Sequence, residues 1–283
     1  MAISLPALPE VQNFISKASE LSKSHLIQGQ TVLVNELLGF FQAAAQNGSV
    51  QDKTLGELYN CVSIKSQAAA MCLARAVLYN KDQSKKGNVI NDMKNKVITP
   101  GNEVQGCLCL GELGKLQDLS SIADIMDRIK DKFKVQDESI RTAASICLGN
   151  ISVGNPDFFL EKVFKLVDAA EHHEKYLFLN TLREIIQHNP KCLKPFINKL
   201  LPLLIEQSKN QDEQIRGIVA ENLGRLYIYY SKNMSEQFEK SFRSQSAFER
   251  ATVAKSFKFG AAKESEILDI EISVEPLAML VRD

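Results

Sequence analysis

The side chains best suited to chemistry in this chain are its histidines and cysteines, and two of the four histidines stand in a single cluster. His172 and His173 stand together in Glu171-His172-His173-Glu174, where every residue type can bind a metal. Adjacent side chains in a turn rarely hold a metal ion without further ligands, and no other histidine or cysteine is near in sequence. We therefore interpret the cluster as a solvated turn between helices and predict no metal site.

The spacing and surroundings of the cysteines predict that they are buried free thiols. Their spacings match no zinc motif, and Cys107 and Cys109 would place their side chains on different faces of a helix. Cysteines inside apolar helical patterns are typical of proteins in a reducing compartment. The six are Cys61, Cys72, Cys107, Cys109, Cys147 and Cys192.

Motifs for catalysis are missing from the sequence. No glycine-rich loop precedes Lys-Ser or Lys-Thr, as phosphate binding would require, and no Gly-x-Ser-x-Gly nucleophile motif occurs. We predict that the protein is not an enzyme, has no catalytic residues and binds no cofactor.

The balance of charge argues against nucleic acid as a partner. The 283 residues include 34 basic and 34 acidic side chains, without the basic surplus typical of nucleic-acid binding. No apolar run approaches the ~18 residues of a membrane helix, and no N-terminal signal sequence is present. We expect an intracellular protein, in the cytoplasm and/or the nucleus, without membrane contact.

A phrase that occurs twice indicates the elements that would position any functional side chain. Gln-Asp-Glu-Ser-Ile-Arg at residues 136–141 recurs as Gln-Asp-Glu-Gln-Ile-Arg at 211–216, and a Leu-Gly pair follows each copy at the same distance. The copies are 75 residues apart, and a weaker copy at 103–111 precedes the first by about half that distance. A unit of about 37 to 38 residues is close to the ~40-residue period of HEAT and armadillo repeats.

This period predicts an all-α fold, a right-handed superhelical solenoid of HEAT repeats. We expect one continuous array over residues 1–283, with about seven pairs of helices, as part of a longer solenoid. The first, or A, helices of the pairs are predicted at 10–23, 51–60, 87–97, 120–133, 157–169, 193–208 and 235–242. The second, or B, helices are predicted at 30–46, 63–79, 103–116, 137–151, 174–187, 213–230 and 247–262.

The charged residues of the repeated phrase have a structural and a functional interpretation. Asp137 and Asp212 are suited to cap B helices by accepting hydrogen bonds from unpaired amides of the first turn. Arg141 and Arg216 lie one turn later, and Arg250 continues the series in the last B helix. These arginines either form ion pairs from repeat to repeat or contact a partner, and they are our candidate partner-binding residues.

Three other segments carry structural predictions. Gly149 and Gly224 are predicted to pack against a neighbouring helix, because a glycine late in a helix otherwise costs ~1 kcal/mol against alanine. The polar stretch 80–88 is predicted to be an exposed loop. Residues 267–283 are predicted to form an A helix, or a short strand, with no B helix after it.

Six stretches along the chain, taken in order, carry a resemblance to a known family. One is Ala-Ala-Ser-Ile-Cys-Leu-Gly-Asn-Ile-Ser-Val-Gly-Asn at residues 143–155, and the others lie at 37–43, 108–114, 182–186, 219–226 and 253–259. Together they resemble the cullin-associated, neddylation-dissociated proteins, also called TATA-binding-protein-interacting proteins. The family is far longer than this chain, so the resemblance covers a late-middle stretch of its array.

The resemblance implies a non-enzymatic factor that binds a cullin lacking its ubiquitin-like modifier, together with the RING subunit. Such a protein lets substrate-adaptor modules exchange and so regulates the assembly of SCF-type ubiquitin ligases. The family's final repeats, which compete with the adaptor, have no counterpart here. Two other classes of HEAT-repeat protein remain open, a transport receptor of the importin-β type and a phosphatase scaffold.

Overall fold

The computed structural model describes residues 27–64, 67–122 and 124–261. Within these ranges the chain is all-α, with twelve α-helices, two short 3-10 helices and no β-strand. The predicted fold class, an all-α HEAT-repeat protein, is confirmed. None of the helices in the described ranges is long and apolar enough to span a membrane. The predicted helix at 10–23 and the predicted segment at 267–283 lie outside the described residues.

The chain divides into two compact units, Met1–Asn155 and Pro156–Asp283. The helices of the first unit are α1 (Ile27–Gln46), α2 (Asp52–Asn60), α3 (Ala68–Leu78), α4 (Gln83–Lys96), α5 (Glu103–Leu116), α6 (Ile125–Asp131) and α7 (Glu138–Gly154), with a 3-10 helix at Lys132–Lys134. The helices of the second unit are α8 (Pro156–Ala169), α9 (His172–His188), α10 (Ile197–Gln207), α11 (Glu213–Phe242) and α12 (Ala247–Ala261), with a 3-10 helix at Pro190–Phe196. The prediction of one continuous array over residues 1–283 stays a prediction.

Pairs of A and B helices recur within each unit. In the first unit the B helices α1, α3, α5 and α7 pack on one another in chain order, and α2 and α4 pack on α3 and α5 as their A helices. In the second unit α9, α11 and α12 form the B layer, and α8 and α10 pack on α9 and α11. The predicted alternation of A and B helices is therefore confirmed inside each unit.

The B helices are buried over most of their surface, because neighbours cover them on several sides. In α5 every residue from 106 to 114 is buried, and in α7 every residue from 143 to 152. A helix with so little exposed surface needs small or apolar side chains nearly all round. Large buried rings such as Phe133, Phe159 and Phe178 complete the cores, and each stabilises the fold by ~1.5–3 kcal/mol.

Glycines allow two of these B-helix pairs to approach closely. A Cβ atom on Gly224 in α11 would meet the main-chain oxygen of Ser256 and lie 3.0 Å from the Cβ of Phe259, both in α12. In the first unit a Cβ on Gly154 of α7 would meet the main-chain oxygen of Gly114 in α5. The prediction that Gly224 packs against a neighbouring helix is thus confirmed. Gly149 is buried in α7, and its packing role stays a prediction.

Aspartate caps begin the B helices of the repeated phrase, as predicted. The Asp137 carboxylate accepts hydrogen bonds from the amides of Ser139 at 2.7 Å and Ile140 at 3.3 Å. The Asp212 carboxylate accepts one from the amide of Gln214 at 2.7 Å. Each cap satisfies first-turn amides that have no partner inside the helix.

The prediction of a loop at 80–88 is wrong, because α4 begins at Gln83. Asp82 caps this helix by accepting from the amides of Ser84 at 3.0 Å and Lys85 at 3.1 Å. The polar residues that suggested a loop are the exposed first turns of an A helix. A capping aspartate therefore outweighed low hydrophobicity in deciding where the helix starts.

Two A helices are shorter than predicted. In place of a helix at 120–133, α6 begins at Ile125, after Asp124 adopts a left-handed backbone with a φ of 61°. In place of a helix at 193–208, the 3-10 helix Pro190–Phe196 comes first and α10 follows. Pro195 within that 3-10 helix lacks the amide that a continuous α-helix would use.

The predicted helices 213–230 and 235–242 are joined as the two halves of α11. A kink at Tyr230, with φ −132° and ψ 26°, separates the halves. The Tyr230 hydroxyl donates a hydrogen bond to the main-chain oxygen of Pro190 at 2.7 Å, which holds the kink against the preceding repeat. The second half of α11 takes the place of an A helix, and α12 is its B helix.

Candidate partner-binding surface

The three arginines singled out in the sequence occupy the same position in their helices. Arg141, Arg216 and Arg250 are each the fourth residue of a B helix, in α7, α11 and α12. Each Nη1 atom donates to the main-chain oxygens five and six residues earlier. The distances to the oxygens five and six residues earlier are 2.7 and 2.9 Å for Arg141, 2.7 and 2.7 Å for Arg216, and 3.3 and 2.8 Å for Arg250.

These contacts fasten the loop between A and B helices to the first turn of the B helix. The carbonyls that accept from Arg141 belong to Val135 and Gln136, just before the capping residue Asp137. Hydrogen bonds to a charged donor contribute ~1.5–3 kcal/mol each, so the clamp is a substantial local interaction. It gives the repeated arginine a structural role inside its own repeat.

The predicted ladder of ion pairs is not what the arginines form. Among the described residues of its own unit, Arg141 has no carboxylate within ion-pair distance, and the same holds for Arg216. Their hydrogen bonds run instead to backbone carbonyls of the preceding loop. Sequence reasoning weighed a ladder against a partner contact and missed the loop clamp.

The clamp leaves part of the guanidinium available in Arg141 and Arg216. An arginine has five N–H donors, of which Nη1 supplies two. Across the part of the chain that the structure describes, the Nε and Nη2 donors of Arg141 and Arg216 have no protein partner. All three clamped arginines are half-buried. The clamp fixes the guanidinium, and in Arg141 and Arg216 it leaves the Nε and Nη2 edge without a partner among the described residues.

An aromatic ring makes Arg216 different from Arg141. The guanidinium carbon of Arg216 lies 4.2 Å from the ring centroid of Phe248, the second residue of α12. Phe248 is 44% exposed, so a large part of its ring faces solvent beside the guanidinium. We call this pair the Arg216–Phe248 stack. The stack is not predictable from the repeated phrase, because neither copy contains an aromatic residue at the position of Phe248.

A network of charged side chains joins α9 and α11 in the same unit. Glu184 is 6% exposed; Arg183 donates to it at 2.8 Å, and the His188 ring nitrogen lies 3.6 Å from its carboxylate. Burial raises the pKa of Glu184, but His188 and Arg183 outweigh it and hold the pKa below its ordinary value. Glu221 of α11 lies 3.9 Å from Arg183 and accepts from Arg225 at 2.7 Å.

A similar buried contact joins the B helices of the first unit. Glu112 in α5 is 5% exposed, pairs with Lys115 at 2.8 Å and accepts from Asn150 of α7 at 3.3 Å. These contacts orient the helices and leave few free charges there. They are therefore structural.

No metal site emerges from the described residues, which hold no group of three or more metal-ligating side chains. His172 and His173 form the first turn of α9 and not a turn between helices, and the structure does not describe their side chains. Four of the cysteines are buried, whereas Cys61 and Cys192 are partly exposed. Burial raises the pKa of the Cys72 thiol to about 12, which keeps it protonated and unreactive.

Comparison with known proteins identifies relatives along nearly the whole chain, although no protein-family model matches. The Cullin-associated NEDD8-dissociated protein 1 of Arabidopsis thaliana is 29% identical over 290 residues, covering 95% of this chain and 24% of the relative. The protein of the same name from Dictyostelium discoideum is 28% identical over 269 residues, covering 88% of this chain and 21% of the relative. The resemblance indicated by the sequence is confirmed, and the chain spans about a quarter of these relatives' length.

A solved structure gives a more distant likeness. The crystal structure of a mutant of Kap121p aligns with 96% of this chain and 32% of its own, with a TM-score of 0.49 and 12% sequence identity.

Proposed function

Because this chain is related over nearly its whole length to the Cullin-associated NEDD8-dissociated proteins, we propose that it binds a cullin that lacks its ubiquitin-like modifier. It acts on the cullin together with the RING subunit, as a non-enzymatic factor in the assembly and exchange of SCF-type cullin–RING ubiquitin ligases. Its place is the cytoplasm and/or the nucleus. The alignment over 95% of the chain is the observation that carries this proposal.

The fold supports a role in binding. Within each unit, B helices that pack in chain order present a row of helix ends and loops that can contact a protein partner. The described residues lack a cluster of metal ligands, and burial raises the pKa of the Cys72 and Cys109 thiols and of the Tyr59 hydroxyl, as in a packed helical core. These features suit a scaffold better than an enzyme.

A pull-down from lysate with the purified chain, followed by mass spectrometry, tests the proposal. Recovery of a cullin and its RING subunit is expected. Recovery of a Ran-type GTPase without a cullin would instead indicate an importin-β-like receptor, and a phosphatase catalytic chain would indicate a phosphatase scaffold.

The clamped arginines Arg141, Arg216 and Arg250 are the residues we propose for contact with the cullin. What supports this proposal is a guanidinium held by main-chain oxygens at the same position of three B helices. Planar guanidinium groups bind carboxylates through bidentate hydrogen bonds and are common at protein interfaces. Replacing each with lysine keeps the charge and removes the planar donors, so a contact role weakens cullin binding per folded molecule, while a clamp role alone lowers only the melting temperature.

A further inference from the structure

The guanidinium of Arg216 is held in place before any partner arrives. Two main-chain oxygens, those of Asn210 and Gln211, accept from its Nη1 atom at 2.7 Å each, and the Phe248 ring lies against it at 4.2 Å. Because three contacts restrict the side chain, little rotamer entropy remains to be lost on binding. The Nε and Nη2 donors have no partner in the described part of the chain and form one edge of a planar group.

Phe248 adds an apolar surface next to this edge. The ring is 44% exposed although a cation already covers part of it. Arginine and aromatic residues are enriched in the centres of protein interfaces, where they carry much of the binding energy. A segment that places a carboxylate on the Arg216 edge would bring its neighbouring side chain onto the ring.

The charges around the stack favour an acidic segment. The Asp212 carboxylate accepts the cap hydrogen bond of α11, and Glu249 is 5% exposed and accepts from the Ser244 hydroxyl at 2.6 Å. Glu213 and Arg243 are both exposed. The Asp212 and Glu249 carboxylates are therefore engaged in local contacts, whereas the Nε and Nη2 edge of Arg216 has no partner among the described residues.

We propose that the Arg216–Phe248 stack is an anchor for an acidic segment of the protein partner, in which an aspartate or glutamate stands beside an apolar side chain. The carboxylate accepts bidentate hydrogen bonds from Nε and Nη2 of Arg216, and the apolar side chain packs on Phe248. This inference rests on the proposed function, since it names the chemistry of the cullin segment that would bind at this edge.

Binding of an unmodified cullin–RING complex to the 283-residue chain and its variants tests the anchor. Arg216→Lys keeps the charge but loses the planar edge and the stack, and Phe248→Ala removes the apolar surface. Each should weaken binding by about tenfold or more, as expected for residues at an interface centre. Circular dichroism of each variant provides the folded fraction by which binding is normalised.

Phe158→Ala is the matched control. Phe158 is 39% exposed and lies 3.3 Å from the Lys162 ammonium, so it repeats the cation–aromatic contact on the A helix α8. Its loss should leave cullin binding within about twofold of the wild type, because hot spots are confined to the interface centre. An equal loss of binding in Phe158→Ala and Phe248→Ala would overturn the proposal, since it would trace the effect to stability or general apolar exposure.

A second arm needs no cullin and no variant. Two synthetic ten-residue peptides, one with glutamates around a phenylalanine and one with glutamines in their place, are added to the wild-type chain carrying ¹⁵N-labelled arginine. The glutamate peptide should shift the Arg216 Nε–Hε resonance, and the glutamine peptide should not. Unchanged resonances with both peptides, or equal shifts with both, would contradict the anchor.

The two arms separate this inference from the proposed function. If the wild type binds the cullin while Arg216→Lys and Phe248→Ala bind equally well, the anchor is wrong and the proposed function stands. If the wild type fails to bind a cullin but the glutamate peptide shifts Arg216, the proposed partner is wrong and the acidic anchor stands. Failure of both measurements removes both.

Discussion

Replacing Gly224 with alanine is expected to destabilise the second unit, because an added methyl group has no room there. Its Cβ would meet the main-chain oxygen of Ser256 and lie 3.0 Å from the Cβ of Phe259. Neither atom can rotate away as the end of a long side chain could, so α11 and α12 would have to separate. Such overpacking costs ~3 kcal/mol at the upper end of its usual range, and alanine returns ~1 kcal/mol of helix propensity. We expect a net loss of about 2 kcal/mol.

Gly217 in the same helix is the matched control. It lies seven residues before Gly224, and a Cβ placed on it would meet nothing within 4 Å. Gly217→Ala should therefore gain ~1 kcal/mol from helix propensity with no clash. The two variants should differ by about 3 kcal/mol, or roughly 6–12 °C in melting temperature for a protein of this size.

Thermal unfolding followed by circular dichroism at 222 nm measures both variants. Urea denaturation of the same samples checks that the order holds at constant temperature. A Gly224→Ala variant as stable as Gly217→Ala would refute the reasoning, since the close approach of α11 and α12 would then not constrain that position.

Three other predictions concern capping, charge and thiols. Asp137→Ala and Asp212→Ala should each lower the free energy of unfolding by ~1 kcal/mol in urea titrations, because each removes a helix cap; an unchanged midpoint would show that the caps are redundant. The folded-state pKa of Glu184 is lowered, so its carboxylate stabilises the fold above its unfolded pKa, and this contribution is lost as the pH falls through the folded value. Glu184→Gln should thus be less stable than the wild type at pH 7, with the gap closing below pH 4.5, and a gap independent of pH would contradict the assignment. Cys61 and Cys192 should react with a thiol reagent well before the four buried cysteines do, and six equal rates in the native protein would show that the B layer opens freely.

Local sequence signals were sufficient to predict where α7 and α11, the two B helices of the repeated phrase, begin. A cap depends on a side chain and amides two or three residues later, so the sequence alone specifies the partners of Asp137 and Asp212. The same rule would have corrected the predicted loop at 80–88, since Asp82 has the same capping geometry. Gly224 was also predictable, because a glycine late in a long helix is costly unless a neighbour demands it.

The role of the arginines was not predictable in the same way. The clamp depends on the path of the loop, which brings carbonyls five and six residues back toward Arg141 and Arg216. No periodic pattern encodes that path. The Arg216–Phe248 stack is harder still to predict, because it depends on the distance between α11 and α12. That distance is set by packing where Gly224 meets Ser256.

The A helices were less predictable than the B helices. Pro195 and the left-handed Asp124 shorten α10 and α6, and both effects depend on the local backbone more than on apolar periodicity. The B helices were recognised because burial on several sides enforces small and apolar residues along their length.

The proposal that this chain binds an unmodified cullin is best tested by titrating purified cullin–RING complex against it. Two forms of the complex, one without its ubiquitin-like modifier and one carrying it, are compared by isothermal calorimetry at the same ionic strength. We expect a stoichiometric complex with the unmodified form, and binding weaker by about tenfold or more, ~1.4 kcal/mol, with the modified form. Absence of binding to the unmodified form, with the chain fully folded by circular dichroism, would contradict the proposal.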